Sequence, residues 1–278
     1  MVAAVIDLQG IECWREDRLI LKDLDWTVRA GEHWAVIGEN GAGKTTLLNV
    51  VNGYLWPRVG AVEVLGGRYG QVDLPEHRKR IGWVTSSLGT HLASVRPDET
   101  ALEVVVSGRY ARIGQWDLPT ADDRDSAREI LAAFRATELA ERPFRTLSQG
   151  EQQTILIARA WMTSAELLIL DEPCIGLDLR AREGVLSAVQ HLGERADAPT
   201  LLYVTHHAEE ILPLFTHVLL IKAGRAVAAG PKAEVLTSNR LSHLFGVSVD
   251  VHWQSGRPWV AVVEGPAEAT AKPSGQGA

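Results

Sequence analysis

A glycine-rich segment at residues 38–45 has the spacing G-x-x-x-x-G-K-[ST], which is suited to binding phosphate groups. Its glycines allow successive backbone N–H groups to point into one concavity, and a following helix adds free N–H groups and a positive dipole end. Lys44 supplies a positive charge for the β- and γ-phosphates, and Thr45 supplies a hydroxyl for Mg²⁺. The pattern therefore predicts an ATP-binding loop. Its expected contact positions are Gly38, Glu39, Asn40, Gly41, Ala42, Gly43, Lys44, Thr45 and Thr46.

A second candidate site follows the apolar run 167–170, which ends in two carboxylates, Asp171 and Glu172. A buried strand has no structural need for paired acids, and ligand sites of open parallel sheets lie at the carboxyl ends of the strands. We expect Asp171 to bind Mg²⁺ and Glu172 to act as the general base toward water. A solvated strand end is the structural alternative, and the phosphate loop in the same chain favours the functional interpretation.

The segment 147–151 precedes a helical stretch at 152–161. Its spacing predicts a capping box, in which the side chains of Ser148 and Glu151 satisfy free N–H groups at the start of the helix. Such a cap occurs in many helices and indicates no function by itself. Its position shortly before the acidic strand, in a chain with a phosphate loop, gives it further significance.

The elements that must position these residues indicate an α/β protein with a P-loop NTPase core. A short apolar run precedes the phosphate loop and a helical stretch follows it, which is the start of an α/β unit. Apolar strands at 167–170 and 201–204 flank another helical stretch, and this alternation predicts parallel strands joined by a crossover helix. Strands at 5–8 and 24–28 predict an added antiparallel β layer, and a hairpin is expected at 218–229.

The region from about residue 88 to 161 has helical periodicity and is interpreted as an inserted α-helical subdomain. Helices are expected at 99–109 and 121–140. After residue 265 the sequence is rich in Pro, Gly, Ala and Ser, and we expect this end to be disordered.

The composition excludes several classes of protein. The 278 residues carry a net charge of −7, and a mildly acidic chain is a poor general binder of nucleic acid. No apolar run approaches the roughly 18 to 20 residues of a membrane span, and the first residues do not have the pattern of a signal peptide. Two cysteines are too few for a disulfide framework. We therefore expect a cytoplasmic protein without a direct nucleic-acid partner.

Taken together, these motifs resemble those of the ATP-binding cassette (ABC) ATPase family, over about residues 3–250, with 251–278 as a C-terminal extension. Gln149 and Glu151 differ from the usual residues of the family's signature motif, but both are common variants. The segments that carry the resemblance are 38–46 as Walker A, 147–151 as the signature, 167–172 as Walker B, 176–178 as the D-loop and Thr205-His206 as the switch histidine.

The resemblance implies that two cassettes, most simply a homodimer, pack head to tail with ATP between them. The phosphate loop of one copy and the signature helix of the other would contact the same nucleotide. ATP would close the dimer, and hydrolysis would let it open. The expected contacts to the partner's ATP are Ser148, Gln149, Gly150 and Glu151, and the expected catalytic residues are Glu172, His206 and Lys44.

The resemblance also implies roles for His206 and Trp14. We expect His206 to contact the γ-phosphate and to orient Glu172 and water, although His207 beside it leaves the choice of histidine open and a structural histidine is the alternative. We expect Trp14 to stack on adenine, with Arg15 as a neighbour. Because the chain has nine tryptophans, a core or surface position of Trp14 is a rival interpretation.

The family pattern breaks at Ser86, in a loop where many members carry a glutamine that reaches Mg²⁺ and the attacking water. A serine is too short for the same contact, but its hydroxyl can bind Mg²⁺ through water, so Ser86 is kept as a metal-site candidate. A neutral serine is the alternative. We expect ATP binding to be intact, and hydrolysis rate and transporter coupling to be the properties that this substitution affects.

The function indicated is an ATPase subunit of a membrane transporter of the importer type, peripheral on the inner face of the cell membrane and bound to transmembrane subunits. Segments 105–110 and 244–247 look like those of importers for metals and siderophores. The alternative is a stand-alone cassette that acts as a nucleotide-gated switch, which Ser86 favours. A P-loop kinase or GTPase is set aside, because neither accounts for the signature segment.

Overall fold

The computed structural model describes residues 3–95, 97–110, 119–163 and 165–263. The described strands are β1 Ala4–Arg15, β2 Arg18–Arg29, β3 Trp34–Ile37, β4 Val59–Val64, β5 Gly67–Arg68, β6 Ile81–Thr85, β7 Leu167–Asp171, β8 Thr200–Thr205, β9 His217–Lys222, β10 Arg225–Pro231, β11 Val249–Gln254 and β12 Arg257–Val262. The described helices are α1 Lys44–Val51, α2 Leu74–His77, α3 Ser86–Val95, α4 Ala101–Ser107, α5 Ala121–Ala133, α6 Gln149–Met162, α7 Leu179–Gly193, α8 Lys232–Val235 and α9 Ser238–Phe245.

The central sheet has the strand order β10-β9-β3-β8-β7-β6, and every neighbouring pair except β10–β9 is parallel. In register, Ile37 is level with Thr205, Val204 with Asp171, and Asp171 with Thr85. The carboxyl ends of β3, β8, β7 and β6 therefore meet at one edge of the sheet. The phosphate loop, the switch histidine, Glu172 and Ser86 each follow one of these strands, and Asp171 ends β7, so all lie at the edge where open parallel sheets bind ligands.

The two faces of the central sheet are covered by different hydrophobic clusters. Along β3, Trp34 and Val36 pack on one face, and Ala35 and Ile37 pack on the other, because successive side chains of a strand alternate. The first cluster lies against α1 and an antiparallel sheet of order β2-β1-β4-β5. The second cluster lies against α4, α5, α6 and α7. The predicted P-loop core, antiparallel layer and helical insertion are thus all present.

Two expectations about helix bounds are wrong. The helix expected to reach residue 140 ends as α5 at Ala133, because Arg135 takes a left-handed φ of +53° and the chain turns there. Residue 86, expected in a loop, is the first residue of α3. Ser86, Ser87, Gly89 and Thr90 are weak helix formers, so this helix depends on tertiary contacts such as the packing of Gly89 against Leu156 of α6.

The chain after α9 contains a feature that the sequence did not indicate. Strands β11 and β12 form an antiparallel hairpin whose Val251 and Val260 pack against the cluster beneath the helices. The domain boundary expected at residue 250 therefore falls inside a strand. The expected disordered end, after residue 265, lies outside the described residues. No helix in the described part of the chain combines the length and the apolar composition needed to cross a membrane.

Candidate nucleotide site

The phosphate loop between β3 and α1 lies close to neighbouring backbone. At Gly38 a Cβ atom would lie 2.4 Å from the carbonyl oxygen of Ile221, so a larger residue would displace the loop. Gly43 precedes α1 with φ of +108°, a conformation that L residues rarely adopt. The Gly224 N–H donates to the Ala42 carbonyl at 2.9 Å and ties the loop to the β9–β10 turn. The loop is therefore closely packed on its neighbours, and the free N–H groups of the first turn of α1 follow it directly.

Lys44 is buried within this loop. Its Nζ donates to the carbonyl oxygens of Gly38 at 2.8 Å and Glu39 at 3.2 Å, and lies 3.3 Å from Oε1 of Glu172. These contacts offset the cost of burying an ammonium group. Lys44 and the loop line a cavity of about 540 Å³ at the carboxyl edge of the sheet. The other lining residues are Arg15, Arg18, Leu19, Ile20, Lys22, Asn40, Gly41, Gly43, Thr45, Thr46, Asp171, Glu172 and Ala223.

The acidic pair at the end of β7 enters the same cavity. Glu172 has a left-handed φ of +49°, and its N–H donates to the Val204 carbonyl at 2.9 Å. Positive φ is uncommon in non-glycine residues, and such residues are enriched at functional sites. Burial, reinforced by the charge of Glu172, raises the pKa of Asp171 from its ordinary value of 3.8 to about 6, against the opposing effect of Lys44. Asp171 thus lies in a place where a positive charge would be stabilised.

The structure places His206, and not His207, beside the acidic pair. Nδ1 of His206 lies 3.3 Å from Oε1 of Glu172 but outside hydrogen-bond geometry, which leaves this buried nitrogen without a hydrogen-bond partner. Nδ1 of His207 instead faces Oε1 of Glu209 at 3.5 Å, and its side chain is more exposed. His206, Lys44 and Glu172 thus form one cluster centred on a single carboxylate oxygen.

The signature helix α6 begins with the predicted capping box. Glu151 N–H donates to Oγ of Ser148 at 3.4 Å, and Ser148 N–H donates to Oε2 of Glu151 at 2.7 Å. That second bond, together with Arg142, holds the pKa of Glu151 below its ordinary value. At Gly150 a Cβ atom would lie 2.6 Å from Cβ of Ala181, so the start of α6 packs closely on α7.

Ser148, Gly150 and Glu151 line a second cavity of about 810 Å³, between α5, α6 and α7. This cavity shares no lining residue with the one that contains Lys44. The side chain of Gln149 lies instead against Gly176 of the D-loop segment. Within one chain, the phosphate loop and the signature helix therefore face different spaces.

Comparisons with known proteins agree with this geometry. The family model described as ABC transporter matches residues 21–175, more than half of the chain. The chain belongs to the ABC transporter family. It is 42% identical over 261 residues to the ABC transporter ATP-binding protein YlmA of Bacillus subtilis, covering 94% of this chain and 98% of that protein.

Two further relatives bear on the class of transporter. The cobalt import ATP-binding protein CbiO of Rhodobacter capsulatus is 38% identical over 220 residues, covering 78% of this chain and 75% of that protein. A chain of a metal-chelate type ABC transporter, solved in an inward-facing conformation, has a TM-score of 0.75 and 26% sequence identity. The match covers 94% of this chain and 97% of that chain.

Membership in the ABC family confirms the resemblance inferred from the motifs, and with it ATP binding and ATP hydrolysis as the activity of the cassette. The roles expected for two further candidate residues, Trp14 and Ser86, stay predictions. The Trp14 ring lies under the Arg58 guanidinium at 5.4 Å and does not line the cavity, so adenine stacking by Trp14 stays a prediction. Ser86 starts α3 at the correct edge of the sheet, but the contacts of its side chain lie outside those described.

Sequence reasoning missed the basic side of the ABC nucleotide cavity. Arg15, Arg18 and Lys22 line it from the β1–β2 hairpin, and Arg15 was expected only as a neighbour of Trp14. Arg18 and Lys22 are four residues apart on β2, on either side of an irregularity in the pairing of β2 with β1. That pair of cations on one strand is the signal that would have pointed to an anionic ligand.

Asp171→Asn is expected to stabilise the nucleotide-free ABC cassette at pH 7.5. The folded chain holds the Asp171 proton more tightly than the unfolded chain does, so this group's contribution to the unfolding free energy falls as the pH rises from about 4 to 6. Removing the charge should raise the unfolding free energy by about 1 to 3 kcal/mol, the upper value being the full pKa shift. Thermal melting at pH 7.5 and pH 5 measures this effect.

The increase in unfolding free energy caused by Asp171→Asn should be smaller at pH 5, because the wild-type carboxyl is then largely protonated in the folded chain. Asp197→Asn is the matched control, because Asp197 is an exposed acid paired with Arg195. A melting temperature for Asp171→Asn equal to or below that of the wild type at pH 7.5 would contradict the prediction.

Proposed function

We propose that this chain is the ATP-hydrolysing subunit of a membrane importer and that it acts as a head-to-tail dimer. The observation that carries the proposal is the separation of the two cavities, since Lys44 lines one and Ser148 lines the other. A nucleotide held by the phosphate loop would therefore meet a signature helix only from a second copy or a paralogous cassette. ATP would then stabilise the closed dimer because it contacts both chains.

The proposed catalytic roles follow from the cluster around Glu172. Glu172 accepts a proton from water while the water oxygen attacks the γ-phosphorus, and the bond between that phosphorus and the β–γ bridging oxygen breaks to release ADP. Lys44 leaves the carbonyl oxygens of the loop for the phosphate oxygens, which carry more negative charge. His206, 3.3 Å from Oε1 of Glu172, orients that carboxylate and contacts the γ-phosphate.

The residues of the cavity fit a magnesium ion. The hydroxyl of Thr45 and the carboxylate of Asp171 are oxygen donors, which this ion prefers, and the raised pKa of Asp171 would fall beside a cation. No group of three His, Cys, Asp or Glu side chains suited to a metal occurs in the described ranges, so phosphate oxygens and water would supply the remaining ligands. Bound there, the ion would neutralise charge on the phosphates.

The import direction and the class of cargo rest on the relatives. One is described as a cobalt import subunit and another as part of a metal-chelate transporter. We therefore infer a small metal-containing cargo, recognised by the transmembrane and binding subunits. The chain would lie on the inner face of the membrane, bound to those subunits. The stand-alone cassette is the alternative, which the family assignment disfavours.

Copurification from membranes tests the proposed partnership. The tagged full-length chain is expressed in its native cell, and the membranes are solubilised in a mild detergent. The expected result is recovery of a polytopic membrane protein in constant ratio to the tagged chain, with ATPase activity above that of the purified cassette. Recovery of the chain only from the soluble fraction, without a membrane partner, would contradict the importer.

A further inference from the structure

Arg257, the first residue of β12, makes four hydrogen bonds between the C-terminal hairpin and two other elements. Its Nη1 and Nη2 donate to the Glu183 carboxylate at 2.6 and 3.1 Å, and its Nη2 and Nε donate to the Glu209 carbonyl oxygen at 2.6 and 2.9 Å. The side chain is only 14% exposed. Hydrogen bonding to Arg257 also holds the pKa of Glu183 below its ordinary value. Arg257 is therefore the centre of a half-buried, charge-assisted network.

The two partners of Arg257 belong to segments that lie next to catalytic motifs. Glu183 lies near the start of α7, whose N-cap Asp178 ends the D-loop. Glu209 belongs to the short helical turn Ala208–Glu210, which follows His206 and His207 directly. Nη1 of Arg182 lies 3.7 Å from Oε1 of Glu209 and reinforces the same junction. One side chain of the hairpin thus joins the D-loop helix to the turn after the switch histidine.

The next residue of that turn, Glu210, is held from inside the protein. Glu210 is 3% exposed, and its Oε2 accepts hydrogen bonds from Tyr203 at 3.0 Å and Thr205 at 2.6 Å. The Thr205 hydroxyl oxygen also accepts the N–H of His207 at 3.0 Å. The turn that follows His206 therefore has two anchors, one at Glu210 from inside the core and one at Glu209, through Arg257, from the outside. With both in place, the backbone that carries the imidazole has little freedom.

The bonds to a main-chain oxygen distinguish Arg257 from a residue that only attaches the hairpin to the surface of the domain. The hairpin already packs through Val251 and Val260, and a bond to Glu183 alone would be enough to attach it to α7. Bonding the Glu209 carbonyl fixes the orientation of a peptide group in the turn itself. Small changes in that orientation would move His206, whose Nδ1 lies 3.3 Å from Glu172.

We propose that Arg257 is a positioning residue for ATP hydrolysis, which holds the turn after His206 so that the imidazole stays against Glu172 and links this turn to the D-loop helix. The proposal rests on the proposed function, in which His206 and Glu172 act on the γ-phosphate and water. Arg257 touches neither the nucleotide cavity nor the reacting atoms, and it acts through His206. Misplacing a catalytic group by a fraction of an ångström lowers the rate without changing substrate binding.

Steady-state ATP hydrolysis by full-length variants tests this inference. Arg257→Ala should lower kcat about 5- to 20-fold with KM for ATP within about two-fold of the wild type, because the binding loop is untouched. Arg257→Lys should recover part of the loss, since an ammonium group keeps the charge but not the fork of donors. Arg240→Ala is the control, an exposed arginine of the same region that donates to the Glu234 carbonyl.

A double-variant cycle separates positioning from stability. In a His206→Ala background, measured by single-turnover phosphate release, Arg257→Ala should cost less than about two-fold, because residues that act through one another are not additive. The proposal would be overturned if Arg257→Ala lowered the rate in the His206→Ala background by as large a factor as it does alone. Wild-type kcat in the single variant Arg257→Ala would also overturn it. If Arg257→Ala does not fold, Arg257→Lys and Glu183→Gln take its place: a lower kcat at unchanged KM supports the proposal, and wild-type kcat in both overturns it.

Failure of the proposed catalytic roles would look different. Wild-type turnover in Glu172→Gln or His206→Ala would contradict those roles and would overturn this inference with them. Loss of turnover in both of those variants, together with wild-type kcat in Arg257→Ala, would overturn the inference alone.

Discussion

Glu172→Gln should lower ATP turnover by about 100-fold or more while leaving ATP binding intact, and should trap an ATP-bound dimer. An amide keeps the size of the Glu172 side chain but is not basic, and loss of a general base typically costs about 10²- to 10⁴-fold. Glutamine also ends the ionic contact of Glu172 with Lys44, which leaves that ammonium free for phosphate. Phosphate release measures turnover, and size exclusion with ATP and Mg²⁺ measures the dimer.

Glu166→Gln is the matched control for this variant. Glu166 precedes the first residue of β7 and pairs with Arg80 at the surface, so it lies at the opposite end of the strand that Glu172 follows. The same chemical change there should leave turnover and oligomeric state as in the wild type. A Glu172→Gln chain that remains monomeric with ATP and Mg²⁺, or that turns over normally, would contradict the assigned role.

The fold of the central region could be predicted because its signals are local. A glycine loop between an apolar strand and a helix identifies the P-loop unit, and the alternation of strands and helices after residue 167 specifies the parallel sheet. The shared location of Asp171, Glu172, His206 and the loop follows from the same alternation. Each of these residues ends a strand or comes directly after one, and the carboxyl ends of neighbouring parallel strands must meet at one edge.

The parts that could not be predicted depend on contacts between distant segments. Helix α3 is composed of weak helix formers at its start and forms against α6. The early end of α5 comes from Arg135 in a left-handed conformation, where glycine would have been the visible signal. The network of Arg257 joins residues far apart in sequence, and nothing around Arg257 in the sequence marks it as more than a turn residue.

The structure also changes the significance of the cap at Ser148. Three helices in the described part of the chain, α4, α5 and α6, begin with a complete capping box, so the box itself is a general stabilising device. Only α6 starts beside the D-loop, where Gly150 packs on Ala181 and Gln149 lies against Gly176. The role proposed for Ser148 therefore depends on its position beside the D-loop, and a test must separate that position from the cap.

Ser148→Arg should abolish ATP-dependent dimer closure and turnover while ATP binding to the single chain stays within about three-fold of the wild type. A bulky cation at the start of α6 would fill the space in which the γ-phosphate end of the partner's nucleotide is expected to lie. Lys44 and its loop line the other cavity, so binding should be spared. Fluorescent-nucleotide titration measures binding, and size exclusion of the double variant with Glu172→Gln measures closure.

Thr120→Arg is the matched control for Ser148→Arg. Thr120 caps α5 with the same reciprocal bonds to Asp123 that Ser148 makes with Glu151. Both substitutions should therefore cost the stability of one cap, about 0.5 to 2 kcal/mol, but only Ser148→Arg should block the dimer. If both variants close normally on ATP, or if Ser148→Arg loses nucleotide binding in the single chain, the signature helix does not face a partner's nucleotide, and the head-to-tail arrangement is wrong.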